Sequence, residues 1–205
     1  MKRIIPGAAA LAATALALAG CSGGGGEGSD DPIIFGGIAG TTGAYGAVGI
    51  AVINGTQMAV DEINEAGGIA GRPIDFRWDD DAADATKSSQ LFQQFVSEGA
   101  VAILGSPDTG PTTAALGDQM QIPVVGAVDD GGLTVYPNGP DEPPFAWTFS
   151  TSLNTFAWGG KIAEWALDNC PDGLAMLHDP TTYGLGGLAG FQMVMEVAGA
   201  DFVYV

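Results

Sequence analysis

Short apolar runs, each breaking into glycine, hydroxyl residues or acids and then into a helical pattern, recur along this chain and leave few folds open to it. The first is Ile33-Ile34-Phe35-Gly36-Gly37-Ile38-Ala39, which passes through Gly40-Thr41-Thr42-Gly43-Ala44-Tyr45-Gly46 into an amphipathic helix predicted over 46–66, with Val48, Val52, Met58, Ala59 and Ile63 at near-helical spacing, and stopped by Gly67-Gly68. Ile74 to Trp78 alternates as a strand, Asp79-Asp80-Asp81 is placed to cap a helix over 83–98, and Leu91, Phe92, Phe95 and Val96 share one side of it. Val101-Ala102-Ile103-Leu104-Gly105 is continuously apolar, as a parallel strand covered on both faces would be. It opens into Ser106-Pro107-Asp108-Thr109-Gly110 and a helix over 113–120, and Ile122 to Ala127 reads as the next strand. Strand and helix alternating with short links predict an α/β fold with a doubly wound parallel sheet.

Such sheets take ligands at the carboxyl edge of their strands. Three successive turns there carry Tyr45, Thr109, Ala127 and Asp129. Thr109 reads either as a cap for the following helix or as a hydroxyl for a ligand anion. Tyr45 reads as a packing tyrosine or a ligand wall, and Asp129, beside Asp130, as a solvated loop acid or a cation partner. The spacing Gly37-x-x-Gly40-x-x-Gly43 does not fit a dinucleotide fingerprint, and the acids 79–81 lack the pattern of a calcium loop.

Pro137 to Pro144 breaks the chain, and the extended run Phe145 to Ser150 is suited to crossing into a second lobe. A helix over 153–169 is expected to face Phe156, Ile162, Trp165 and Ala166 inward. A strand over 174–179, Tyr183-Gly184, a helix through Met193, Val194 and Val197, and a last apolar strand, Phe202 to Val205, follow.

The N-terminus has Met1-Lys2-Arg3, an apolar run over 8–19 and Leu18-Ala19-Gly20-Cys21, which resembles a bacterial lipoprotein signal whose cysteine becomes the acylated residue. Residues 1–20 are then the signal peptide and 21–31, rich in glycine, serine and acid, a flexible tether. Cys170 is the one other cysteine, which leaves no pair for an internal disulfide. Six Lys plus Arg against 24 Asp plus Glu give a formal net charge of −18, which disfavours a nucleic-acid partner. A hydrolase reading lacks a G-x-S-x-G elbow between a strand and a helix, and His178, the single histidine, stands at a strand end. No cofactor, metal site or catalytic residue is expected.

The order Gly40-Thr41-Thr42-Gly43-Ala44-Tyr45-Gly46, then Ala59-x-x-Glu62-Ile63-Asn64-x-x-Gly67-Gly68-Ile69-x-Gly71-Arg72-Pro73-Ile74, Asp80-Asp81, Gly105-Ser106 and His178-Asp179-x-x-x-x-Tyr183-Gly184, closely resembles one family. It is the substrate-binding proteins of ABC importers for branched-chain amino acids and related amides, with the type 1 periplasmic-binding-protein fold. The resemblance implies two α/β lobes, residues 32–148 and 149–205, that clamp an amino acid or small amide and present it to a membrane permease, on a protein anchored by lipid on the extracytoplasmic side. By the same resemblance Tyr45 and Tyr183 are aromatic walls, Thr109 holds the ligand carboxylate, and the Ala127 carbonyl accepts from the ligand ammonium. Asp129 stands where branched-chain binders have a hydroxyl. Family chains run on beyond this length, so the second lobe is expected to be incomplete and ligand binding weak or absent. A sensor domain serving a signalling receptor is the alternative within binding functions.

Overall fold

The first strand, β1 (Ile33–Ala39), runs through the middle of a parallel sheet because two of its residues have no side chain. A Cβ at Gly36 would press on Ile103 and Phe95 on one face, and one at Gly37 on Phe76 and Trp78 on the other. Large neighbours therefore close over the strand from both sides. The computed structural model describes residues 31–43, 46–126, 132, 134–138, 142–170 and 174–204. The chain divides into Met1–Asp31 and Pro32–Val205, and all the described elements lie in the second unit.

Helix α1 (Gly46–Glu65) leads to β2 (Ile74–Asp80), α2 (Ala85–Ser97) to β3 (Ala102–Gly105), and α3 (Gly110–Met120) to β4 (Val124–Gly126). β5 (Thr148–Ser150) completes a five-stranded sheet of order β2-β1-β3-β4-β5, parallel throughout. The run 145–150 therefore adds an edge strand to the first sheet before the chain moves on. Right-handed crossovers put α2 and α3 together on one face and α1 on the other. The core lies under α2, where Leu91, Phe92 and Phe95 meet Ile38, Ile103 and Val124.

Two expectations about the helices change. The acids 79–81 do not cap α2; Asp84 does, its Oδ1 accepting from the Lys87 amide at 2.7 Å. Asp79 and Asp80 instead end β2, and Asp81 follows in the turn at the sheet edge. On α1 the buried apolar side chains are Val52, Ile53 and Val60, while Met58 is 62% exposed. Coverage of β3 is also one-sided among the described residues. Ile103 is sealed under α2, whereas Leu104 borders an open groove along Ala47, Ala51, Gly55 and Ala59 of α1, and Phe149 stays exposed.

A second layer follows from α4 (Thr155–Asn169), β6 (Ala175–Met176), α5 (Thr182–Ala198) and β7 (Val203–Tyr204), with β6 and β7 parallel. Asn154 caps α4 by accepting from the Phe156 amide at 2.9 Å. The inward side of α4 carries Phe156, Gly159, Gly160, Ala163 and Ala166, and Ile162 and Trp165 point outward, against expectation. The reason is close packing of backbone: a Cβ at Gly159 would run into the Gly187 carbonyl oxygen, and one at Gly190 into that of Phe156. Small residues bring α4 and α5 together, and bulk is left for the outside. On α5, likewise, Leu188, Phe191 and Met195 are buried, and Met193 and Val197 are exposed. Phe191 meets Phe202 edge-on at 5.0 Å between ring centroids.

Candidate functional site

The strand order reverses between β1 and β3, since α1 carries the chain to one side of β1 and α2 carries it back past β1 to the other. At such a switch point neighbouring crossovers leave on opposite faces and open a crevice at the carboxyl ends. Three turns meet there. Gly40 follows β1, Asp80 and Asp81 close β2, and the run 106–109 follows β3. A Cβ on Gly40 would stand 2.9 Å from Asp108 Oδ2 and 3.4 Å from Asp81 Oδ1, so its missing side chain makes room for two carboxylates.

Those acids have different fates. Asp80 accepts from Thr42 Oγ1 at 2.7 Å, from the Thr41 amide at 2.8 Å and from the Ala82 amide at 3.0 Å. The Thr42 hydroxyl leads in holding its carboxyl down to about 2, with the backbone amides adding to it. Asp81 is buried and accepts from Thr109 Oγ1 at 2.7 Å and from the Ala83 amide at 3.1 Å. Asp108 is half-buried, and none of the described residues forms a hydrogen bond or ion pair with it. Burial first, and then the charge of Asp81, push its carboxyl above the ordinary range. Ser106, two residues before it, is fully buried with its hydroxyl unpartnered.

A cleft of about 610 Å³ opens against this edge. Val48, Ala83, Pro107 and Asp108 form one side, and the run 179–183 at the start of α5 forms the other. Thr181 caps α5 by accepting from the Gly184 amide at 3.3 Å, and it also donates both its amide, at 3.0 Å, and its hydroxyl to Asp179. The hydroxyl bond leads in holding the Asp179 carboxyl below the usual carboxylate range. Tyr183 is 53% exposed into this space, its ring centroid 5.6 Å from that of Trp158. The cleft's lining carries two carboxylates, and no Lys, Arg or His is among its described residues.

The structure thus brings Tyr183 to the same cleft as the turn that bears Thr109. Thr109 itself is only 4% exposed, and its hydroxyl is turned inward to Asp81, with Ser88 Oγ at 2.8 Å. It makes no side-chain cap to α3, and its carbonyl accepts from the Thr112 and Thr113 amides. Tyr45, Ala127, Asp129 and Cys21 lie outside the described residues. Asp81, Asp108 and Asp179 were missed as site residues. An acid in the turn that follows each buried apolar run was the available signal. Among the described residues, no group of metal-ligating side chains is gathered, and no helix is long and apolar enough to cross a membrane.

Comparison with known proteins agrees with this architecture. A family model described as "Periplasmic binding protein" matches residues 32–205. The Leu/Ile/Val-binding protein homolog 2 of Brucella abortus (strain 2308) is 31% identical over 151 residues, covering 71% of this chain and 38% of that protein. Among solved structures, the leucine binding protein LivK of Thermotoga maritima MSB8 superposes with a TM-score of 0.70 at 17% identity, covering 84% of this chain and 48% of the other. A solute binding protein of an ABC transporter from Rhodopseudomonas palustris BisB5, in complex with 3,4-dihydroxybenzoic acid, does so with a TM-score of 0.68 at 22% identity, covering 85% and 46%. The chain spans less than half the length of each of these proteins.

Proposed function

The chain belongs to the periplasmic binding protein family, and from that premise we propose that it is the extracytoplasmic solute-binding part of an ABC importer. It captures an amino acid or related small amide between two lobes, expected as residues 32–148 and 149–205 and here divided after β5, which pairs with the first sheet, and delivers it to a membrane permease. It binds without converting its ligand. Cys21, directly after a 20-residue signal peptide and first in the tether 21–31, attaches it to the membrane by lipid.

The observation that carries this reading is the cleft at the switch point, closed on its far side by the start of α5. Its volume falls in the range of small-ligand sites, which run from about 300 to 1,000 Å³. In this reading Tyr183 and Tyr45 are aromatic walls, the Ala127 carbonyl accepts from the ligand, and Asp129 sets specificity. Thr109 contributes through the start of α3, because its hydroxyl is engaged with Asp81. The Gly110 amide there has no acceptor within the helix. The printed names of the relatives, which bind Leu/Ile/Val or leucine, support an amino acid as the ligand class.

Thermal unfolding of the chain with a panel of amino acids and their amides tests this. A ligand that binds only the folded state stabilises it by RT ln(1 + [L]/Kd), about 2.7 kcal/mol at a hundredfold excess over Kd, and so raises the midpoint as its concentration rises. The expected result is a midpoint that rises with at least one member. No shift with any of them, together with hydrolysis of a generic ester, would overturn the reading.

A further inference from the structure

The cleft carries a charge imbalance that a neutral zwitterion does not match. Asp108 stands on its near wall and Asp179 on its far wall, and no basic side chain lines it among the described residues. The two carboxylates are not equivalent. Asp179 is already satisfied by the Thr181 hydroxyl and amide. Asp108 is half-buried with no hydrogen bond or ion pair from the described residues, and Asp81 lies close by across Gly40. A carboxylate that has lost water and gained no partner is costly unless something arrives to pair it.

We infer that Asp108 is a specificity-determining residue of the cleft, and that the ligand is a small organic cation, a basic amino acid, whose side-chain charge pairs with the Asp108 carboxylate. This rests on the solute-binding reading above and narrows its substrate class. The aromatic face of Tyr183 on the opposite wall suits the same ligand, since a cation is attracted to the face of an aromatic ring and an aliphatic stem packs on it. The buried charge of Asp81 adds to the same field without being consumed, because its carboxylate is held by Thr109 and Ala83. The inference is independent of Asp129, which lies outside the described residues.

The test uses ligand pairs that differ in the cation alone: arginine with citrulline, and lysine with norleucine, with glutamate as the opposite charge. Each is titrated into the chain to tens of millimolar and followed by amide chemical shifts at Ala83, Asp108, Tyr183 and Gly184, so that weak binding is measured as well as tight. The wild type is expected to bind arginine or lysine at least about tenfold more tightly than its neutral partner, the scale of one charge-assisted contact. In D108N, which keeps the shape of the side chain, the members of each pair become equal. Asp108→Ser gives the same loss of selectivity should the amide variant misfold. Equal binding of charged and neutral partners by the wild type, or tighter binding of glutamate, overturns the inference and leaves the solute-binding reading standing. So does selectivity that survives in both variants. No shift at the cleft with any member of the panel also overturns the inference, and the solute-binding reading is then decided by the wider thermal-unfolding panel alone.

Discussion

Asn64 is the joint on which the α1 to β2 connection turns, and removing it has a consequence that can be worked out from the hydrogen bonds. β2 is an edge strand, paired on one side only. At its first residue, Ile74, the outward N–H and C=O are taken by a single side chain. Asn64 Oδ1 accepts from the Ile74 amide at 2.7 Å, and Asn64 Nδ2 donates to the Ile74 carbonyl at 2.9 Å. The side chain thus stands in for a neighbouring strand, and Ile74 is 5% exposed. Each neutral bond is worth about 0.5–1.5 kcal/mol net, and a buried group left unpaired costs about 1–3 kcal/mol. Asn64→Ala should therefore cost about 2–3 kcal/mol, with water reaching the edge to limit the loss. At a slope of about 2 kcal/mol per molar urea, the unfolding midpoint falls by about 1 M. Asn64→Leu separates hydrogen bonding from packing, because it keeps the volume and loses both bonds, and it should be as damaging as alanine. Equilibrium urea unfolding followed by circular dichroism reads both variants. A cost under about 0.5 kcal/mol for alanine, or wild-type stability for leucine, would refute the reasoning.

Two further outcomes are expected of the same fold. Gly49→Ala and Gly55→Ala, both in α1, should have opposite signs in thermal unfolding: a Cβ at Gly49 runs into the Gly40 carbonyl oxygen and costs about 1–3 kcal/mol, whereas at Gly55 it meets nothing within 4 Å and gains about 0.5–1 kcal/mol from helix propensity. Asp80, whose carboxyl is held down to about 2 by Thr42 and neighbouring amides, contributes stability that is present above its ordinary value near 3.8 and is lost as pH falls through about 2. Asp80→Asn should accordingly flatten the acid limb of stability between about pH 4 and 2, and an unchanged limb in a melting-temperature profile would sink that assignment.

Much of the first lobe was legible because its signals are local. The apolar runs, the turns that end them and the helix stop at Gly67-Gly68 depend on neighbours a few residues apart. The inward side of α2 was read correctly for the same reason, since Leu91, Phe92 and Phe95 are large and meet a flat sheet. On α4 the same rule failed. The helix meets another helix through Gly159, Gly160 and Ala163, and a pattern that looks for bulk points to the wrong side. Asp79-Asp80-Asp81 resembled a cap because acids before a helix usually are one, yet Asp84, closer to the first turn, takes that role.

By itself, then, the sequence determined the alternating elements, the parallel sheet and the turns that gather at its carboxyl edge, because periods of 2 and 3.6 residues and turn chemistry are properties of neighbouring residues. Only the tertiary structure decided which acids share the cleft and which are already satisfied. Thr109 and Asp81 are 28 residues apart, and they meet because β2 and β3 both flank β1, so that their turns converge over Gly40. The physical reason is that strand order is set by the burial of whole faces, and no single stretch of chain encodes where its far neighbours will end.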